Sequence, residues 1–348
     1  MSGLAVLRER DELLTENPGE AKEVHQCWVT LKRNLLEPFP AVLDAQRRRN
    51  LRARLFELLT KVESLSDGLF LELEALEHYE RIYLFEKRLI GTDSLVNPEG
   101  RALVIGREKG RSVLVGEEDH LRIQCSRVSL DLEEAFVCAD SLDASLEQHC
   151  RFAFSEEFGY LTSCPSEAGT GLLASTILHL PALALLGELP KVIRGLLALK
   201  IAIRSTFRDS QGAPGAWLLI SNSRSLGSPE QDYVDSLDLL ARKLLTFEER
   251  AQMKARGEAW SLLEDEVNKA MEALATIEKI TSLQAVASLG TLRLGAGVGL
   301  LPQLELSRLG SIEVGIQPGH LQMLAGRALN EEERAHLRAE RLKDWLHI

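Results

Sequence analysis

Two stretches of this 348-residue chain gather side chains able to do chemistry. In GEEDHLRIQ, residues 116–124, three adjacent carboxylates (Glu117, Glu118, Asp119) precede Arg122 at what alternation of apolar and polar residues predicts to be the mouth of a strand. Carboxylates there can orient a cation and the guanidinium can neutralise an anion, although an acidic triplet alone reads as a solvated turn. In EEFGYLTSCPSEAGTGLLASTILHLPAL, residues 156–183, Cys164 stands before a proline, ahead of a Gly169-Thr170-Gly171 turn and a His-Leu-Pro exit. A single cysteine is most often a packing residue. Its place just before that turn favours a role in a site.

The elements that must position these residues can be read from hydrophobic spacing. Residues 41–90 carry Leu51, Leu55, Leu58, Leu59 and Val62, then Leu69, Leu73, Leu76, Tyr79 and Tyr83, at helical intervals, which predicts a small helical lobe. Asn97-Pro98-Glu99-Gly100 ends it. Short β-rich runs follow at 102–105, 112–115 and 121–128, then a helix over 130–152, strand at 158–162, a helical or mixed segment at 190–203, a loop at 212–215 and a strand at 217–221 that closes the sheet. Helical periodicity governs 231–256, 260–280, 282–292 and 331–346. The expected architecture is α+β, with a small N-terminal helical lobe over residues 1–96 and a larger C-terminal lobe over 97–348 whose antiparallel sheet is flanked by helices.

With 45% hydrophobic and 27% charged residues the composition is that of an ordinary globular protein. A net charge of −11 argues against a nucleic-acid partner, since phosphate backbones demand excess Lys and Arg. The basic run Arg47, Arg48, Arg49, Arg52 and Arg54 therefore reads as a solvated helix face. Five scattered cysteines form neither a Cys-x-x-Cys zinc pair nor a disulfide framework, and no apolar run has the length of a signal peptide or a membrane span. The expectation is a soluble cytoplasmic protein that binds neither membrane nor a protein-held metal. The glycines from Gly290 to Gly297 lack the Gly-Lys-Ser/Thr of a phosphate-binding loop.

Together the two stretches resemble the signature of the phosphagen kinases, most closely the bacterial protein-arginine kinases of the McsB type. The resemblance runs from about residue 24 to 345 and implies the two-lobed phosphagen kinase fold. It implies transfer of a phosphoryl group from MgATP to arginine side chains of proteins, which needs carboxylates to orient the cationic acceptor and cations to neutralise the triphosphate. By resemblance Glu118 holds and deprotonates the guanidinium, Glu117 and Asp119 are its acidic neighbours, and Cys164 supports the acceptor. Asp209, five residues after Arg204, matches the second acceptor carboxylate of a flexible loop, with aspartate where glutamate is usual. Arg122 and Arg204 match phosphate-binding arginines, and Asn222 lies in the matching Ser-Asn strand.

The nucleotide side departs from the pattern. Leu31-Lys32-Arg33-Asn34 is present, but the two arginines expected before it fall at Trp28 and Thr30, a third falls at Leu173, and an expected asparagine falls at Glu167. Charge-assisted hydrogen bonds contribute about 1.5 to 3 kcal/mol each, so three losses remove on the order of 5 to 9 kcal/mol from nucleotide or transition-state binding. On a strand, residues 28, 30 and 32 share a face, which makes Lys32 a candidate substitute, as a point charge without the bidentate fork of arginine. Glu167 there repels ATP.

At the C-terminus, Gln317-Pro318-Gly319-His320-Leu321-Gln322 and the basic positions Arg334, Arg338 and Lys343 resemble the phosphoarginine-reading end of the McsB-type chain, with Ala335 in place of an aspartate. Arg334, Arg338 and Arg341 fall near one helical face within 331–348; a charged terminal helix is the competing reading. Two functions stay open. One is a protein-arginine kinase; the other is a pseudokinase that binds arginine or phosphoarginine clients and regulates a stress-response protease system. Partners implied by the resemblance are an McsA-like zinc protein and a ClpC-type unfoldase, and a homodimer is compatible with it.

Overall fold

The computed structural model describes residues 24–108, 110–204, 206 and 213–348. Its elements run β1 (Val24–Arg33), α1 (Ala45–Leu59), α2 (Glu63–Ser66), β2 (Leu69–Glu72), α3 (His78–Glu86), α4 (Thr92–Val96), β3 (Ala102–Ile105), β4 (Arg111–Val115), β5 (Leu121–Arg127), α5 (Leu132–Glu147), β6 (Phe154–Ser155), β7 (Gly159–Tyr160), β8 (Leu172–His179), α6 (Pro181–Leu185), α7 (Leu189–Ala198), β9 (Ile201–Arg204) and β10 (Trp217–Asn222). Helices α8 (Glu230–Glu258), α9 (Trp260–Thr276), α10 (Ser282–Val298), α11 (Leu306–Gly315), α12 (Pro318–Ala325) and α13 (Glu331–Leu346) follow. The expected α+β architecture is present. No described helix is long and apolar enough to cross a membrane.

Eight strands form one sheet in the order β2-β3-β4-β5-β1-β8-β10-β9. β1 alternates strictly: Cys27, Val29 and Leu31 are fully buried, which turns residues 28, 30 and 32 to the opposite face. β5 does the same with Leu121, Ile123 and Cys125. The antiparallel register sets Lys32 opposite Arg122 and Thr30 opposite Gln124, so the polar residues of both strands share a face. β4 and β5 form a hairpin that pairs Val115 with Leu121, and residues 116–120 are its tip.

By contact density the described chain groups into two compact units, one built on Cys27–Ser175 and Asn222–Leu237, the other on Thr176–Ser221 and Asp238–Ile348. In the first, Leu51, Leu55, Leu59, Leu65, Leu103 and Leu121 are core residues. The basic run lies on α1, where Arg49 pairs with Glu99, Arg52 with Glu74 and Arg54 with Glu37, so that face is laced by ion pairs. In the second unit Glu248 accepts hydrogen bonds from Ala182 N (2.8 Å) and Leu183 N (3.0 Å), capping the first turn of α6 from α8.

Three element readings need correction. Residues 69–76 are β2 and a short 3₁₀ turn (Leu73–Ala75), not helix: Leu69 and Leu71 point to the core while Leu69 pairs with Ile105 on β3. β10 does not close the sheet, because β9 lies beyond it at the edge. Strand at 158–162 shrinks to Gly159–Tyr160, α4, α6, α11 and α12 are additional helices, and β6 and β8 are additional strands.

Candidate active site

The acidic tip of the β4–β5 hairpin is held by neighbours that the fold brings to it. Glu117 turns away from its two acidic neighbours: its carboxylate accepts from Gly91 N (3.0 Å), Ser94 Oγ (2.6 Å) and Arg122 Nη1 (3.1 Å), so it closes the start of α4 and pairs with Arg122. Asp119 is 3% exposed. Its Oδ1 accepts from Asn34 Nδ2 (2.6 Å) and Ser163 N (2.7 Å), while Oδ2 has no hydrogen-bond partner. Asn34 is itself buried, and its Oδ1 accepts from His120 N (2.9 Å) and lies 2.7 Å from His120 Nδ1.

The Gly-Thr-Gly turn docks on β1 beside this tip. Gly171 O accepts from Lys32 N (2.9 Å) and Thr170 O from Arg33 Nη1 (2.9 Å). Gly171 has φ +66°, and a Cβ there would lie 2.6 Å from Lys32 O, so both conformation and closeness demand glycine. Arg33 is buried and donates Nε (2.9 Å) and Nη2 (2.7 Å) to the single oxygen Asp143 Oδ2, with its guanidinium 3.6 Å from the centre of the Tyr160 ring. This anchors the C-terminal end of β1.

Cys164 precedes a 3₁₀ turn, Pro165–Glu167, that the docked glycines position. Its Sγ lies 3.1 Å from Ser166 Oγ, a neutral hydroxyl. Glu167 at the end of the turn reaches Lys32 Nζ at 2.5 Å, and the same Nζ lies 3.3 Å from Glu118 Oε2 and 3.6 Å from Asp119 Oδ2. Glu118, Asp119 and Glu167 each offer an oxygen within 4.8 Å of the others. Burial pulls the Lys32 ammonium down, but the Glu167 hydrogen bond and the charges of Glu167, Asp119 and Glu118 outweigh it and hold its pKa above the ordinary lysine value.

A triphosphate needs free cations on this face. Lys32 is engaged by three carboxylates, and Arg122 gives Nη1 to Glu117 and Nη2 to Leu89 O (2.8 Å), keeping only Nε without a hydrogen-bond partner. These two residues therefore fit a triphosphate poorly. Arg204 is exposed at the end of β9 in the second unit, and Asp209 lies outside the described residues. The Asn222 side chain bonds to backbone: its Oδ1 accepts from Ala174 N (2.8 Å) and its Nδ2 donates to Leu172 O and Arg224 O (both 2.9 Å).

The arginines of α13 do not share one exposed face. Arg338 is 3% exposed and donates Nε to Ile316 O and Nη1 to Ile280 O, both at 2.8 Å, because the helix packs that side against the core of the second unit. Arg334 donates to Leu329 O (2.6 Å), and Arg341 lies 3.5 Å from Asp344. Sequence reasoning assigned no work to Arg33, Asn34, His120 or Asp143. The Arg33-Asn34 pair was the available signal, but its partners lie far away in sequence.

Comparison with known proteins points to one family. Residues 51–251 match the family model of the ATP:guanido phosphotransferase C-terminal catalytic domain, and residues 261–348 match that of the protein-arginine kinase McsB C-terminal domain. A protein-arginine kinase of Moorella thermoacetica is 32% identical over 343 residues, covering 97% of this chain and 98% of that one. One from Symbiobacterium thermophilum is 38% identical over 260 residues, covering 75% and 74%. Among solved structures, a lombricine kinase matches with TM-score 0.56 and 21% identity over 68% of this chain and 67% of its own. A substrate-free duplicated taurocyamine kinase from Schistosoma mansoni gives TM-score 0.57 and 23% identity over 82% and 40%.

Proposed function

The chain belongs to the ATP:guanidino phosphotransferases, among the protein-arginine kinases, and from that premise we propose that it phosphorylates arginine side chains of proteins at a low rate. The observation that carries the reading is the acidic tip, where Asn34 and Ser163 N fix Asp119 while Glu118 stands exposed beside it, 3.3 Å from Lys32 Nζ. Glu118 takes the role of the base: it orients a guanidinium and accepts its proton as the nitrogen attacks the γ-phosphorus and ADP leaves. Cys164 and the loop residue Asp209 complete the acceptor side, and Arg122, Arg204 and Asn222 the nucleotide side, of this proposal. Magnesium is assigned to no residue. Phosphoarginine formed on an arginine-bearing protein incubated with MgATP is the measurement. Wild type should produce it and Glu118→Gln should not; equal yields would reduce Glu118 to a surface acid.

A second reading is favoured by the ion pairs of Lys32 and Arg122. With both cations neutralised internally, the chain would be a pseudokinase that holds arginine or phosphoarginine clients, with Arg334 and Arg341 of α13 as phosphoarginine contacts. Protein partners on this reading are an McsA-like activator and a ClpC-type unfoldase. Product formation by wild type at any measurable rate rules it out.

A further inference from the structure

The carboxylates that the proposed reaction needs for its cationic acceptor already hold a cation of the protein's own. We propose that Lys32 is an internal competitor for the guanidinium site, that this site comprises Glu167 as well as Glu118 and Asp119, and that an arginine side chain enters by displacing the Lys32 ammonium. The proposal rests on the reading of Glu118 as the acceptor carboxylate and adds two residues to it.

Three observations carry it. Lys32 Nζ stands 2.5 Å from Glu167, 3.3 Å from Glu118 and 3.6 Å from Asp119, so one ammonium faces three carboxylates. The cluster keeps an excess of negative charge with Lys32 in place, and a second cation is still attracted. Asp119 Oδ2 is buried, faces Nζ at 3.6 Å and has no hydrogen-bond partner, which a compact ammonium bonded to Glu167 does not correct. A guanidinium presents five N–H groups in a planar fork and can satisfy two carboxylates at once. Access is graded in the right sense: the Glu118 side chain is 56% exposed and that of Lys32 13%, so an arriving arginine meets Glu118 first and Lys32 behind it. Glu167, at the end of the Pro165–Glu167 turn, is the strongest holder of Lys32 and becomes the third acceptor carboxylate once Lys32 leaves.

Calorimetric titration of the full chain with N-acetyl-arginine amide tests this. Lys32→Met should bind the probe about fivefold to tenfold more tightly than wild type, the range expected when a partly screened ion pair no longer has to be broken. Adding Glu167→Gln to Lys32→Met should reverse the gain. An affinity in Lys32→Met equal to or weaker than wild type overturns the competitor, and a double variant equal to Lys32→Met removes Glu167 from the site. If instead Glu118→Gln in the Lys32→Met background binds as well as Lys32→Met alone, the acceptor reading of Glu118 fails; absence of binding in every variant overturns both. Since three carboxylates without Lys32 can prevent folding, the wild-type protein with ¹⁵N-labelled lysine gives a second readout. The Lys32 ammonium resonance should move as the probe saturates, and a fixed resonance during binding overturns the displacement.

Discussion

Asn34 illustrates how one uncharged side chain organises charged ones. It donates to Asp119, accepts from the backbone of His120 and donates to Leu161 O, all inside the protein. Asn34→Leu has similar volume but strips these groups of partners, and each buried polar group left unsatisfied costs about 1 to 3 kcal/mol. We expect roughly 2 to 4 kcal/mol of lost stability by urea denaturation, with Asp119 loosened; a loss no larger than that of a surface substitution would show that water replaces the amide. At this scale the sequence singles out Glu118 and Cys164 by the fixed local spacing of their motifs. It was unreadable where partners are far apart: Lys32 finds Glu118 and Glu167 across 86 and 135 residues, and nothing in its neighbourhood distinguishes a phosphate-facing lysine from one bound by acids.

Elements show the same divide. β3, β4 and β5 announce themselves as short β-rich runs, and α5 and α13 by helical period. β2 does not, because Leu69, Leu73 and Leu76 satisfy a helical interval as well as Leu69 and Leu71 satisfy an alternating one, and only pairing with β3 decides. Helix α11 carries a second feature invisible in sequence. Its Glu313 is buried, with Trp217 Nε1 at 3.4 Å and Arg293 Nη1 at 3.8 Å; burial pushes its pKa up to about 7, with Arg293 and the Trp217 hydrogen bond opposing. A carboxyl raised from 4.5 to about 7 on folding contributes stability that is full below about pH 4.5 and falls away as pH rises through about 7. The span corresponds to roughly 3 kcal/mol. Glu313→Gln, which keeps an acceptor for Trp217 and does not titrate, should flatten the difference in melting temperature over that window; parallel wild-type and variant curves would place the ionised form in the core.

For the molecule as a whole, family membership was legible because the acidic triplet and the Cys-Pro and Gly-Thr-Gly motifs of the two signature stretches are kept, whereas the state of the nucleotide side was legible only as missing arginines. The ion pairs of Lys32 and Arg122 sharpen that reading, and we expect calorimetry with MgATP to show no saturation in the micromolar range. Micromolar affinity would mean that cations outside this face replace those at Trp28, Thr30 and Leu173. The sheet order has another consequence, for the way the protein is made. β1 lies between β5 and β8, and its register joins Cys27 to Arg127, one hundred residues later in the chain. During synthesis it emerges first and is seated late, a strand with two open edges that waits for both neighbours while its apolar face is bare. A nascent or truncated chain that lacks β8 thus carries every acid of the hairpin tip while β1, and Lys32 with it, still has an open edge.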